Sequence, residues 1–178
     1  MNKDQMLSLP SGAEIPFRVV RPDDAPALQR LVGRCSERTI YLRFFGSLEN
    51  LSDEKAQYFA STDSVDHFGL VALDPEDSNE IIAVARYART SGDERAEYAA
   101  LVDDSWQGEG VGAGLTLRLI EEARGHGVSS FYALVKGSNK RMLNVLRHLG
   151  LPERERVEDG EKMVEVGLSS TEATQQTG

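Results

Sequence analysis

The chain has 178 residues, 40% apolar and 28% charged, the balance of a globular domain large enough to bury a core. Its 29 acidic and 20 basic residues leave a net charge of −9, which disfavours a nucleic-acid binder and weakly suits a cationic partner. No apolar run approaches the ~20 residues that cross a bilayer, and the single Cys35 excludes an internal disulfide and a cysteine-rich metal cluster.

The N-terminus lacks the basic start and apolar core of a signal peptide, so a cytoplasmic location without membrane attachment is expected. Residues 1–13 read as a flexible start. Ile15–Arg21 alternates as a strand does, Pro22–Asp24 supplies a turn and cap, and Ala25–Cys35 carries Ala27, Leu28, Leu31 and Val32 at helical spacing. Ser36–Leu48 is aromatic-rich and reads as a packed connector. Ser52, followed by Asp53 and Glu54, starts a helix that runs to about Ala60. His67–Leu73 and Glu80–Ala88 are predicted strands joined by the turn-rich DPEDSN, and Arg95–Asp103 is a third consecutive strand. Val111–His126 places Val111, Leu115, Leu119 and Ala123 on one helical face. Ser129–Val135 is a strand. Asn139 caps a helix whose apolar face is Met142, Leu143, Leu146 and Leu149, and Gly150 stops it. Arg154–Val157 and Lys162–Leu168 form a last hairpin around Asp159-Gly160. Residues 169–178 are a polar tail expected to be disordered. This order gives an α+β fold, a single domain over 14–168 with a mixed sheet.

Gln107–Gly114 (QGEGVGAG) lies between a strand and a helix, a place suited to a phosphate. A P-loop needs Lys-Ser/Thr after its last glycine, whereas Leu115-Thr116 follows here. Gly108-x-Gly110-x-x-Ala113 satisfies the loose dinucleotide fingerprint. However, the next strand runs into Lys136-Gly137 instead of the acid that binds a ribose. A coenzyme A pyrophosphate turn, Gln/Arg-x-x-Gly-x-Gly/Ala, is filled by Gln107, Gly110 and Gly112. Glycines there let backbone N–H groups close on a diphosphate at a helix N-terminus. The bland alternative is a turn that only packs its helix tightly on the strand, which three glycines at alternate positions exceed.

Val102–Gly112 (VDDSWQGEGVG) resembles the acetyl-CoA motif of GNAT-type N-acetyltransferases, and the likeness extends from about Arg18 to Leu168. Arg21–Ala25, Tyr41–Gly46, Ala85–Tyr87, Ala96-Glu97 and Asn139 through Gly150 are similar to the acetyltransferase domain of bacterial Pat-type protein-lysine acetyltransferases. Such domains are commonly fused to regions for which this chain has no room, so control by cyclic AMP is not implied. The resemblance implies a mixed, mostly antiparallel sheet of about seven strands flanked by about four helices. It also implies a V-shaped split between the Arg95–Asp103 and Ser129–Val135 strands. Leu101, Val102 and Asp103 would bind pantetheine through their backbones, and Asn139 would face the pantetheine arm. Amides of Gln107, Gly108, Gly110, Val111, Gly112 and Ala113 would bind the pyrophosphate. Glu97 would be the general base, expected to be partly buried, for an amine acceptor that is a protein lysine or a small amine. Acetyl-CoA would be the co-substrate, with no metal.

Three departures stand out. Glu109 occupies a position that is often basic in relatives, no tyrosine lies in Asn139–Gly150 to protonate a leaving thiolate, and Lys136–Asn139 lacks the acid that often precedes the asparagine. Glu109 and the absent tyrosine keep open a non-catalytic acyl-CoA-binding regulatory module with the same fold. A pure interaction domain with an empty turn is a third option, and oligomeric state stays open. Cys35 reads as a small core residue. His67, His126 and His148 have no ligand or triad spacing and suit surface or capping roles, and Trp106 is expected under the turn. Tyr41, Phe44 and Phe45 either line the acceptor side or belong to the core.

Overall fold

A computed structural model describes residues 5–44, 50–63, 65–135, 144, 145, 147, 149–158 and 161–169. In chain order the elements are β1 (Met6–Ser8), β2 (Glu14–Val19), α1 (Ala25–Arg34), α2 (Glu37–Phe44), α3 (Asp53–Ala60), β3 (His67–Leu73), β4 (Ile81–Ala88) and β5 (Arg95–Val102). After them come α4 (Val111–Gly125), β6 (Ser130–Val135), β7 (Glu153–Glu158) and β8 (Glu161–Gly167). The strands form one eight-stranded sheet in the order β1-β2-β3-β4-β5-β6-β8-β7. Every neighbouring pair is antiparallel except β5 and β6, which run parallel.

The sheet separates two apolar layers because side chains alternate across it. Ala83, Ala85, Tyr87, Ala96, Tyr98, Phe131 and Val166 face α4, whose Val111, Leu115, Leu119, Ile120 and Ala123 are all buried. On the other face Val71, Leu73, Ile81 and Leu101 meet Leu28, Leu31 and Val32 of α1 and Ala56 and Ala60 of α3. Ser52 caps α3 by accepting a hydrogen bond from Lys55 N at 3.2 Å, as its sequence signal requires. Among polar groups, Tyr98 Oη and Thr116 Oγ1 satisfy one another at 2.6 Å inside the α4 layer. His126 sits at the C-terminal cap of α4 and its Nδ1 lies 2.7 Å from Tyr87 Oη. Cys35 caps α1, and burial, with Asp104 and Asp103 adding to it, pushes its thiol up to about 12, far from a nucleophile's range.

Two stretches differ from the sequence expectation. Within 1–13, predicted to be flexible, Met6–Ser8 pairs with β2 (Leu7 opposite Ile15), and both Leu7 and Leu9 are buried. Three residues are too short for an alternation signal, but two buried leucines suffice to hold them. Ser36–Leu48, predicted to be a connector, contains the helix α2. Only Ile40 of α2 is buried, so its apolar periodicity is weak. The helix predicted from Asn139 to Gly150 lies mostly outside the described residues, and so do Asn139 itself, His148 and the Asp159-Gly160 turn. Asn144, Val145 and Arg147 are helical.

Candidate active site

β5 and β6 pair only where Arg95, Ala96 and Glu97 lie opposite Ser130, Phe131 and Tyr132. Beyond Glu97 the two strands separate. β5 stays with β4 as far as Val102, and β6 stays with β8 as far as Val135. The separation has the form of the V-shaped split that the family resemblance implies, and Glu97 stands at its vertex.

Hydrogen-bond direction along β5 decides which backbone groups face the gap. Asp103 N–H donates to Ile82 O of β4 at 2.9 Å, while Glu94 O accepts from Ser129 and Ser130 on the β6 side. Alternation then turns the amides and carbonyls of Tyr98, Ala100 and Val102 toward the gap and those of Ala99 and Leu101 toward β4. Of the three residues proposed for pantetheine, only Val102 points the right way. Leu101 is spent on β4, opposite Val84. Asp103 has both backbone groups engaged, its carbonyl accepting from Trp106 N at 2.9 Å.

The end of β5 is clamped by the helices of the other layer. Asp103 is buried, accepts from Ser105 N through Oδ1 and from Arg34 Nε through Oδ2, both at 2.9 Å, and so caps a short 3-10 turn. Asp104 Oδ1 accepts from Ser36 N at 3.0 Å. Gln107 Nε2 donates to Val102 O at 2.9 Å and to Thr39 Oγ1 at 3.2 Å. Its backbone N–H closes the 3-10 turn on Asp104 O at 3.4 Å. The Gln107 side chain therefore pins the strand end and the start of α2. Trp106 is partly buried against the α4 layer, as expected.

Gly108 and Gly110 take φ of +79° and +94°, a region that side chains disfavour. Gly110 is the N-cap of α4 and has no side-chain cap bond; the first intrahelical bond shown there is Gly114 N to Gly110 O at 3.0 Å. The amides of Val111, Gly112 and Ala113 thus lack intrahelical acceptors at the positive end of a 15-residue helix. Close approach also matters here. A Cβ on Gly112 would lie 3.2 Å from Val102 Cγ2, and one on Gly110 would lie 3.1 Å from Pro10 Cδ. Pro10 had no role in the sequence reading and supports the turn from the N-terminal segment. Glu109 is exposed. These features fit an extended diphosphate ligand, with strand-like backbone partners in the gap and unspent amides with no competing acid in the first helical turn.

Glu97 is exposed instead of partly buried. It lies on the sheet face opposite α4, where α2 and α3 reach β5 only in part. Its charge acts on the guanidiniums of Arg43 and Arg86. Phe44 lines a pocket with both arginines, Tyr41 is 46% exposed, and Phe45 lies outside the described residues. Among the described residues no group of His, Cys, Asp and Glu could hold a metal, and no helix is long and apolar enough to cross a membrane.

Residues 15–152 match the model of the acetyltransferase (GNAT) domain family. The chain is 26% identical over 158 residues to the acetyltransferase PA5475 of Pseudomonas aeruginosa, covering 88% of this chain and 85% of that protein. It is 33% identical to the acetyltransferase Pat of Mycolicibacterium smegmatis over 75% of this chain and 40% of that protein, so it spans well under half of that relative. The GNAT domain of S. lividans PAT superposes with a TM-score of 0.84 at 29% identity, over 94% of this chain and 99% of that one. The yncA protein of Salmonella typhimurium, solved with its cofactor acetyl-CoA, shares the fold at a TM-score of 0.67 and 18% identity, over 92% and 99% of the two chains.

Proposed function

We infer that this chain, which belongs to the GNAT acetyltransferase family and is an N-acetyltransferase, draws its acetyl group from acetyl-CoA and delivers it to a protein lysine or a small primary amine, with Glu97 as the base. The observation that carries the reading is the opened β5–β6 pair, with Glu97 at its vertex and the glycine turn at its mouth.

Acetyl-CoA supplies a thioester whose C–S bond is exchanged for the amide C–N bond, releasing CoA. Ala100 offers its backbone groups and Val102 its N–H to the pantetheine arm, since Val102 O already accepts from Gln107 Nε2, and the amides of Gly108, Gly110, Val111, Gly112 and Ala113 receive the pyrophosphate. Asn139 is proposed for the same arm on the resemblance alone. Val102 N–H points toward the gap and would stabilise the oxyanion. The acceptor must be neutral to attack. For an amine of pKa ≈ 10.4 this costs about 4.6 kcal/mol at pH 7, and a carboxylate within reach takes the proton directly or through a water. Exposure of Glu97 leaves solvent to carry that proton away.

The test is CoA release with acetyl-CoA and a panel of amines and lysine peptides. Glu97→Gln should lower kcat by about 10²-fold, the usual scale for a positioned base, and leave the KM for acetyl-CoA nearly unchanged. A second reading, a non-catalytic acyl-CoA-binding module, is favoured by the exposure of Glu97. Acetyl-CoA binding without turnover on the full panel would establish it. No binding at millimolar acetyl-CoA would sink both.

A further inference from the structure

Two guanidiniums on the acceptor side have no part in the chemistry above. Arg86, on β4, is 8% exposed, and its Nη1 is buried without a hydrogen-bond partner. Its Cζ lies 4.8 Å from the ring centroid of Tyr58 and 4.7 Å from that of Phe59. Arg43, on α2, is half-buried, with its Cζ 4.7 Å from the centroid of Phe44 and 5.8 Å from that of Phe59. Both arginines line a narrow cleft whose cavity is only about 20 Å³, room for one small polar group and not for a whole ligand, bounded on the β5 side by Ala99 and Leu101. Burial, with the charge of Arg86 adding to it, pulls Arg43 down to about 10, which still leaves it cationic at neutral pH.

The carboxylate whose charge acts on both guanidiniums is Glu97. Among the described residues, two cations facing one exposed anion leave surplus positive charge in an aromatic pocket. The ring faces offset part of it, but a buried guanidinium N–H with no acceptor remains costly. The register places Arg86 opposite Ala99 and Ala88 opposite Glu97, so Arg86 and Glu97 are diagonal neighbours on one sheet face. Such neighbours are about 7–8 Å apart, the reach of an extended chain of about six bonds.

We propose that this pocket receives a carboxylate of the acceptor, bound by Arg86 with Arg43 beside it, so that the amine presented to Glu97 belongs to an amino carboxylate. The proposal rests on the reading of Glu97 as the acceptor end of the cleft. The carboxylate comes from a small ω-amino acid or from an acidic side chain close to a lysine in a peptide.

The experiment compares 6-aminohexanoate with hexylamine, the same amine arm with and without the carboxylate, in wild type, Arg86→Met, Arg86→Lys and Arg43→Met. Lysine peptides carrying Asp or Asn two residues from the lysine form a second arm. For wild type the expected kcat/KM is about tenfold higher for the carboxylate member of at least one pair, the scale of a charge-assisted bond. Arg86→Met should bring that ratio close to one and Arg86→Lys should keep part of it. Preference confined to 6-aminohexanoate identifies a small acceptor, and preference confined to the Asp peptide identifies a protein side chain. Met replaces a buried charge by an apolar chain of similar length, so the variant is expected to fold, and a thermal melt checks this. Equal kcat/KM for both members of both pairs in wild type, or an unchanged ratio in folded Arg86→Met, overturns the proposal. If no amine is acetylated, the catalytic reading fails separately. Calorimetric titration of the same ligands into the acetyl-CoA-saturated protein then decides the pocket. A carboxylate preference removed by Arg86→Met upholds it, and no preference overturns it.

Discussion

Asp103→Ala tests whether the mouth of the cleft is held open by the clamp on β5. Asp103 caps the 3-10 turn through Ser105 N and holds Arg34 Nε, each at 2.9 Å, and is 6% exposed. Loss of the cap costs about 1 kcal/mol. The bond to Arg34 contributes about 1–2 kcal/mol more, at the low end for a charged pair. Arg34 is 36% exposed and keeps Glu80 at 2.7 Å and Ile81 O at 2.7 Å. The sum is about 2–3 kcal/mol, which for a chain of this size lowers Tm by roughly 5–10 °C. Asp103→Asn keeps the Oδ1 acceptor and should lose only about 1 kcal/mol. Urea unfolding gives both numbers, and a cycle with Arg34→Met should show coupling of at least about 0.5 kcal/mol. Because Asp103 fixes the strand end that leads into the glycine turn, KM for acetyl-CoA should rise with the stability loss while kcat changes less. An Asp103→Ala variant within about 0.5 kcal/mol of wild type, or one fully additive with Arg34→Met, would refute the clamp.

Hydrogen exchange should resolve the alternation along β5. The amides of Ala100 and Val102 should exchange readily without ligand and slow at least about tenfold on acetyl-CoA binding, whereas that of Asp103, bonded to Ile82 O, is protected in both states. Equal protection of all three before ligand addition would contradict the assigned direction. Glu109→Gln removes an exposed negative charge one residue before the cap of α4. KM for acetyl-CoA should fall roughly 2–5-fold at low ionic strength and the difference should vanish in high salt; no change at low salt would show that the carboxylate points away from the turn. Asp24 governs part of the acid stability. Burial pushes its carboxyl up, but Arg18 at 2.7 and 2.8 Å and Arg21 N at 2.8 Å outweigh that and hold it below the ordinary value. Its contribution is therefore complete above about pH 4, the unfolded value, and is lost as pH falls through the lower folded value. Asp24→Asn should cost about 1–3 kcal/mol at pH 7 and progressively less below pH ~4, read by denaturant titrations across pH. A constant difference down to pH ~2 would remove Asp24 from the acid limb.

Much of this architecture is legible in the sequence because its signals are local. The apolar runs of β3 and β4 with the polar turn between them, the Ser52 cap and the amphipathic face of α4 each lie within one window, and the structure follows them to within a residue or two. Features that depend on distant partners are not visible that way. β1 exists because Leu7 reaches the α4 layer. α2 lacks an apolar stripe because Ser36 and Thr39 hold its start to the β5 end through Asp104 and Gln107. The exposure of Glu97 depends on where α2 and α3 end, which no strand pattern reports. Arg86 did leave a trace, as the one charged residue in the otherwise apolar run Ile81–Ala88. A lone charge in such a strand is either paired or awaiting a partner.

The position of the cleft follows from topology more than from any motif. A sheet rarely opens in its interior, because unpaired backbone groups there are costly. Here each arm of the opening keeps an antiparallel neighbour, β4 behind β5 and β8 behind β6, so separation sacrifices bonds only on the inner edges. Those edges are what remains for a ligand that behaves like a strand. Parallel pairing at Arg95–Glu97 fixes the vertex, and the chain leaving β5 must turn at once into α4 to return to β6. The crossover through α4 therefore brings a helix N-terminus to the open end of the gap. Glycines at 108, 110 and 112 are what that geometry demands, two for positive φ or contact with Pro10 and one for contact with Val102. The turn and the opened strands are thus two consequences of one connection, which is why a glycine-rich stretch between a strand and a helix marks the mouth of the cleft.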